Sequence, residues 1–115
     1  MNRVIVAGTI DFKGRDVAPI IAAAHGLIAA AYDEAGCIHY CWTADVLHPG
    51  RIQVFEEWES SETLSAHLAA AAYLDMAAHL AASGMTGADV HKYRIDAKEP
   101  VYDPDGRPRG DFFMV

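Results

Sequence analysis

Four strand patterns and two helical stretches, in the order strand, helix, strand, strand, helix, strand, predict an α+β fold built on an antiparallel sheet. Three observations carry this prediction. Alternation of period two marks strands over 3–11, 37–46, 51–59 and 88–96, and apolar residues at helical spacing fill the two long intervals. Glycine and proline punctuate the boundaries at Gly14, Gly36, Pro49-Gly50 and Gly84.

The first strand runs from Arg3 to Asp11, rich in β-branched residues, and stops near Phe12-Lys13-Gly14. A helix follows from about Asp16. Val17, Ile20, Ile21, Ala24, Leu27, Ile28 and Ala31 recur along one face, Pro19 sits in the first turn where a missing amide costs nothing, and Gly36 is the stop. The second and third strands are joined through Leu47-His48-Pro49-Gly50 as a hairpin. Ser60 and Ser61 offer hydroxyls to the first amides of a second helical region reaching Ser83, with Glu62 in the first turn. Ala69 to Ala72 is bland enough to break that helix into two near Tyr73. The fourth strand, Ala88 to Asp96, completes a ferredoxin-like βαββαβ order over residues 1–97. Residues 98–115 form a Pro- and Gly-rich tail whose apolar tip, Phe112 to Val115, is expected to dock on its own subunit or on a partner.

Alternation places Ile38, Tyr40 and Trp42 on one face of the second strand and Cys37, His39 and Cys41 on the other. On the third, Ile52, Val54, Glu56 and Trp58 share a face opposite Phe55. Both faces read as largely apolar, which predicts a second sheet against the helix-free side and hence a homodimer. Cys37 and Cys41, four apart on one strand, lie about 13 Å from each other at ~3.3 Å per residue and cannot bridge, so we expect buried thiols, with pairing across a dimer as the alternative. A net charge of −7 without a basic run argues against nucleic acid and anionic membranes as partners. No apolar run approaches the roughly 18 to 20 residues of a membrane span, and Met1-Asn2-Arg3-Val4-Ile5 lacks a signal-peptide layout, so a cytoplasmic protein is expected.

The run Phe55-Glu56-Glu57-Trp58-Glu59-Ser60-Ser61, then His67-Leu68, with Gly36-Cys37-Ile38-His39-Tyr40 and Pro49-Gly50 upstream, resembles the antibiotic biosynthesis monooxygenase family. These proteins are small dimeric α+β barrels. The resemblance spans residues 3 to 97, and its specific part covers roughly thirty residues. It implies oxygenation without flavin, metal or other cofactor. The substrate would be an electron-rich aromatic such as a hydroquinone, an anthrone or a polyketide-like polycycle, with dioxygen as its partner. The family position of His67 makes this residue, or a water it holds, the acceptor of the substrate proton, a role suited to a side chain that titrates near neutrality. Trp58 stands beside it. Tyr40, Trp42, Val54, Glu56, Tyr73 and His79 are candidates to line a substrate pocket, for which Ala23, Ala24, Ala70, Ala71 and Ala77 leave room.

Other readings stay open. The two tryptophans and Tyr40 also suit plain core packing, and His67 also suits a polar helical residue. His25 and His79 are further candidate bases, whereas His39, His48 and His91 read as strand or loop residues. No two histidines stand three or four apart and no thiolate cluster exists, so no metal site is expected. The haem-degrading branch of the fold needs a first-strand asparagine, which is absent. Its tryptophan position is His67 here, and its ligand position falls at Ala77, with His79 two residues and roughly 200° away. An isomerase of the same fold, using Glu56 as a second acid, and a non-catalytic binding protein for a small ligand are the remaining alternatives.

Overall fold

The computed structural model describes residues 2–114. Its strands β1 (Val4–Asp11), β2 (Cys37–Ala44), β3 (Arg51–Trp58) and β4 (Gly87–Arg94) form one sheet in the order β2-β3-β1-β4, with every neighbouring pair antiparallel. The helices are α1 (Ala18–Ala23), α2 (His25–Tyr32), α3 (Ser61–Ala69) and α4 (Ala71–Ala82). Chain order and sheet order together make the ferredoxin-like α+β architecture that the alternation predicts.

Register follows from the pairing and fixes what stands beside what. On the helix-covered face, Tyr40, Glu56, Val6 and Lys92 form one row across the four strands, and Trp42, Val54, Gly8 and Val90 form the next. The helices close on these rows in two apolar groups. One joins Ile10, Phe12, Val17, Ala24, Ile52, Val54, Met76 and Leu80; the other joins Val4, Ala31, Tyr40, Trp58 and Leu64. Gly8 is required by close approach, since a Cβ there would stand 2.1 Å from the Asp89 carbonyl oxygen.

Both helical regions break. The first, expected as one helix, divides at Ala24 (φ −93°, ψ 4°), two residues before Gly26. Its apolar stripe is nevertheless the buried one. The second divides at Ala70, whose backbone is extended (φ −78°, ψ 155°), three residues before the expected point. Tyr73 consequently lies inside the first turn of α4.

The sheet face away from the helices presents Phe55 (40% exposed), Tyr93 (54%) and Cys41 to solvent in the single chain. This corrects the expectation that both thiols are buried. It also corrects their shared face: a bulge between Cys37 and His39 sets Cys37 opposite Trp58 and drops Ile38 from the ladder, so that Cys37 packs against the helix-side core. Burial, and then the Glu56 and Glu34 carboxylates, push the Cys37 thiol up to about 11. Glu57 on the outer face is 4% exposed and bonds Arg3 at 3.1 Å, with Lys98 at 3.9 Å.

The tail folds on itself. Tyr102 bridges Pro108, and the Glu99 carboxylate accepts the amides of Phe113 and Met114, each at 2.7 Å. Phe112 and Met114 stay 59% and 67% exposed, and Val115 lies outside the described residues. Among the described residues no helix is long and apolar enough to cross a membrane.

Candidate functional site

The phase of α3 is set at its first residue. Ser60 Oγ accepts the Thr63 amide at 3.1 Å while Thr63 Oγ1 accepts the Ser60 amide at 3.1 Å, a reciprocal cap that fixes the helix start. From that start Leu64 and His67, three apart, both face the sheet and are buried. Thr63 also packs on Gly36, where φ is +81° and a Cβ would stand 2.4 Å from the threonine methyl. Gly36 thus lets the turn after α2 lie against α3. Glu34, in that turn, is carried to the His67 ring.

His67 is 2% exposed and enclosed by aromatics. It stacks on Trp58 with centroids 4.5 Å apart and planes at 29°, and it meets the edges of Tyr40 (5.4 Å) and Tyr73 (5.6 Å). Its Nδ1 bonds Glu34 Oε1 at 2.5 Å and its Nε2 lies 4.0 Å from Glu56 Oε1. With Glu34 ionised, the proton sits on Nδ1 and is donated to the carboxylate, which leaves the Nε2 lone pair directed toward Glu56. Glu56 in turn accepts the Trp58 indole N–H at 3.0 Å.

Desolvation raises the Glu56 carboxyl above the usual carboxylate range, against the opposing effects of the Trp58 N–H and of His67. Burial, with the Glu56 charge adding to it, pushes the Tyr40 phenol far up, so it stays a neutral donor. The buried Trp42 indole N–H has no partner in hydrogen-bond geometry. The arrangement is a carboxylate, an imidazole and a second carboxyl in line, able to take a proton at one ring nitrogen and to hold another beside it.

A cavity of about 400 Å³ opens beside this group, between α3, α4 and the β1–β4 half of the sheet. His67, Glu56, Trp42 and Tyr73 line it, as does Ala77 alone among the alanines expected to make room. Leu64, Leu68, Met76, Leu80, Val6 and Val90 supply most of the apolar wall. Trp58 is fully buried behind His67, and Tyr40 is 6% exposed beside it, so both border the imidazole and neither lines the cavity. Two expected lining residues lie elsewhere: Val54 is in the core with Ile10 and Ile52, and the Nε2 of His79 bonds the Ile20 carbonyl at 2.9 Å across the α1–α4 contact. The reason for His79 is phase, because the break at Ala70 turns α4 so that Met76, Ala77 and Leu80 face the cavity. No group of three or more His, Cys, Asp or Glu side chains that could hold a metal ion gathers among the described residues.

Glu34 and Lys92 are the functional candidates the sequence reading passed over. Glu34 reads as an ordinary acid at a helix end, and no local signal marks it. Lys92 had a signal, since with Arg94 it turns the inward set on β4, which begins Ala88 and Val90, from apolar to basic.

Comparison with solved structures agrees with this fold. A proposed antibiotic biosynthesis monooxygenase of Deinococcus radiodurans superposes with a TM-score of 0.77 at 21% identity, over 87% of this chain and 99% of its own. A protein proposed to have the same role in Nitrosomonas europaea gives 0.73 at 16% identity, over 82% and 90%. A conserved protein of Methanosarcina mazei gives 0.72 at 21%, over 82% and 93%. At such identities these likenesses show the fold alone. No curated protein sequence matches significantly. The family assignment comes from the sequence itself: the pattern of one family matches residues 3–79, and the chain belongs to the antibiotic biosynthesis monooxygenase family.

Proposed function

We propose that this protein is a cofactor-independent monooxygenase that oxidises an electron-rich aromatic with dioxygen, His67 being the base. One observation carries the reading: a buried imidazole, held at Nδ1 by Glu34 and with Nε2 4.0 Å from Glu56, lines a largely apolar cavity of aromatic size together with that carboxyl. Removal of a phenolic proton, or of the acidic C–H of an anthrone, leaves a carbanion or phenolate electron-rich enough to reduce dioxygen without help. For an anthrone the balance is simple. The CH₂ becomes C=O, taking one oxygen atom, and the other leaves as water with the two hydrogens. The apolar wall keeps bulk water from the anion, and the aromatic cage around His67 holds the ring in place. The expected result with purified protein, hydroquinones and anthrones is oxygen uptake above the spontaneous rate, falling on the order of 10²- to 10⁴-fold in His67→Ala. Uptake equal in wild type and variant would remove His67 from the chemistry.

Glu56 favours a second reading. A carboxyl with a raised pKa, 4.0 Å from the imidazole, is the second acid an isomerase needs. Solvent deuterium entering the substrate without oxygen uptake would select isomerisation, and ligand binding with neither would select a binding protein.

The outer sheet face, with Phe55, Tyr93 and Cys41 uncovered, supports a two-fold dimer in which a second copy packs sheet to sheet. Light scattering is expected to give the mass of two chains, and Phe55→Glu to shift it toward one. A single-chain mass for the wild type would rule the dimer out.

A further inference from the structure

Opposite the His67 end, the cavity is rimmed by a cation. The row Glu56, Val6, Lys92 crosses three adjacent strands on the cavity face, so Glu56 and Lys92 stand two strand spacings apart, roughly 10 Å, with only the valine between them. Lys92 lines the cavity, and Arg94 follows two residues on, on the same face of the same edge strand. In a chain with 16 acidic residues, neither has one as a partner: the lysine and arginine ion pairs among the described residues belong to Arg3, Arg51, Lys98 and Arg109. Neighbouring His91 is already engaged by Asp89 at 2.7 Å.

We infer that Lys92 is a specificity-determining residue that binds an acidic group of the substrate, which is therefore an aromatic hydroxy acid or a comparably anionic aromatic. The inference rests on the reading of this cavity as the substrate site, and it deepens that reading by giving the ligand two ends. The ring lies over Val6 between the apolar side chains of α4 and β4. Its reactive hydroxyl or C–H meets His67 and Glu56, and its carboxylate meets the lysine at the mouth, where water still solvates the charge. The polarity also orients the ligand. A carboxylate turned inward would be desolvated beside the Glu56 carboxyl, with no cation at that end to offset it.

The test is a binding titration under nitrogen with a hydroxynaphthoate and with the naphthol that lacks its carboxylate, read by quenching of tryptophan fluorescence. The acid is expected to bind about tenfold more tightly than the naphthol at low salt, with the advantage shrinking as salt is added. Lys92→Met is expected to bring the two affinities together by weakening the acid alone, and Lys92→Arg to restore the difference. Lys92 is exposed, so neither change removes core packing. Equal affinities in the wild type, or an advantage that survives in Lys92→Met, would overturn the inference. Because the titrations contain no oxygen, their failure is separate from that of the monooxygenase reading: selective binding without oxygen uptake would leave Lys92 in place and remove the oxygenase, and oxygen uptake with unselective binding would do the reverse.

Discussion

Replacing Glu34 by glutamine is expected to slow oxygen uptake nearly as far as removing His67 itself, on the order of 10²-fold or more. Glu34 touches no substrate; it is a positioning residue that acts through the ring. As a carboxylate it only accepts, and so it draws the imidazole proton onto Nδ1 and leaves Nε2, 4.0 Å from Glu56, with its lone pair free. A glutamine can present its NH₂ to Nδ1, which moves the proton to Nε2, and the nitrogen facing the substrate then has no lone pair to offer. The loss should fall on kcat with KM little changed, because the cavity wall is untouched. The imidazole nitrogen resonances of His67 should show the exchanged tautomer. An unchanged tautomer with a lowered rate would assign Glu34 to packing only, and an unchanged rate would dismiss the dyad.

Trp58→Ala should unfold the domain most readily, at a cost of about 3 to 5 kcal/mol. The indole is fully buried, carries the His67 ring on its face, meets Tyr40 edge-on at 6.4 Å, and supplies the N–H that the Glu56 carboxyl accepts. Truncation leaves a large void and strips a buried acid of the indole N–H it accepts at 3.0 Å. Urea denaturation measures the loss, and Trp58→Phe separates its parts: most of the packing stays, while the bond to Glu56 goes. Should Trp58→Ala lie within about 1 kcal/mol of wild type, the aromatic cage would be loosely packed and the fixed-base argument would weaken with it.

Much of the fold was legible because its signals are local. Alternation at Val4–Asp11 or Arg51–Trp58 records which side chains meet the core, and each strand was located to within two residues at either end. The Ser60 cap was legible for the same reason, since its partner Thr63 is three residues away. The helix breaks were less so. Alanine runs favour helix uniformly, and nothing in Ala69 to Ala72 says which residue will be extended; packing of Met76 and Leu80 on the sheet decides it. The bulge at Cys37 and His39 escaped as well. A period-two pattern carries no mark of an inserted residue, and this one moved Cys37 to the opposite face.

His67 was legible through its family position and its place on a capped helix, and so was Trp58 beside it. What they do to each other was not. His67 and Glu34 are 33 residues apart, joined by a contact that exists only because Gly36 lets one turn lie against Thr63. The row of Glu56, Val6 and Lys92 likewise depends on two long-range pairings whose register no single strand contains. By itself, then, the sequence determined which residues form strands and helices and which faces are apolar, because those are periodicities of the chain. The tertiary structure alone decided which acid holds the histidine, which ring nitrogen that acid holds and what charge stands at the cavity mouth, because each of these is a distance between segments that only the closed sheet and its helices bring together.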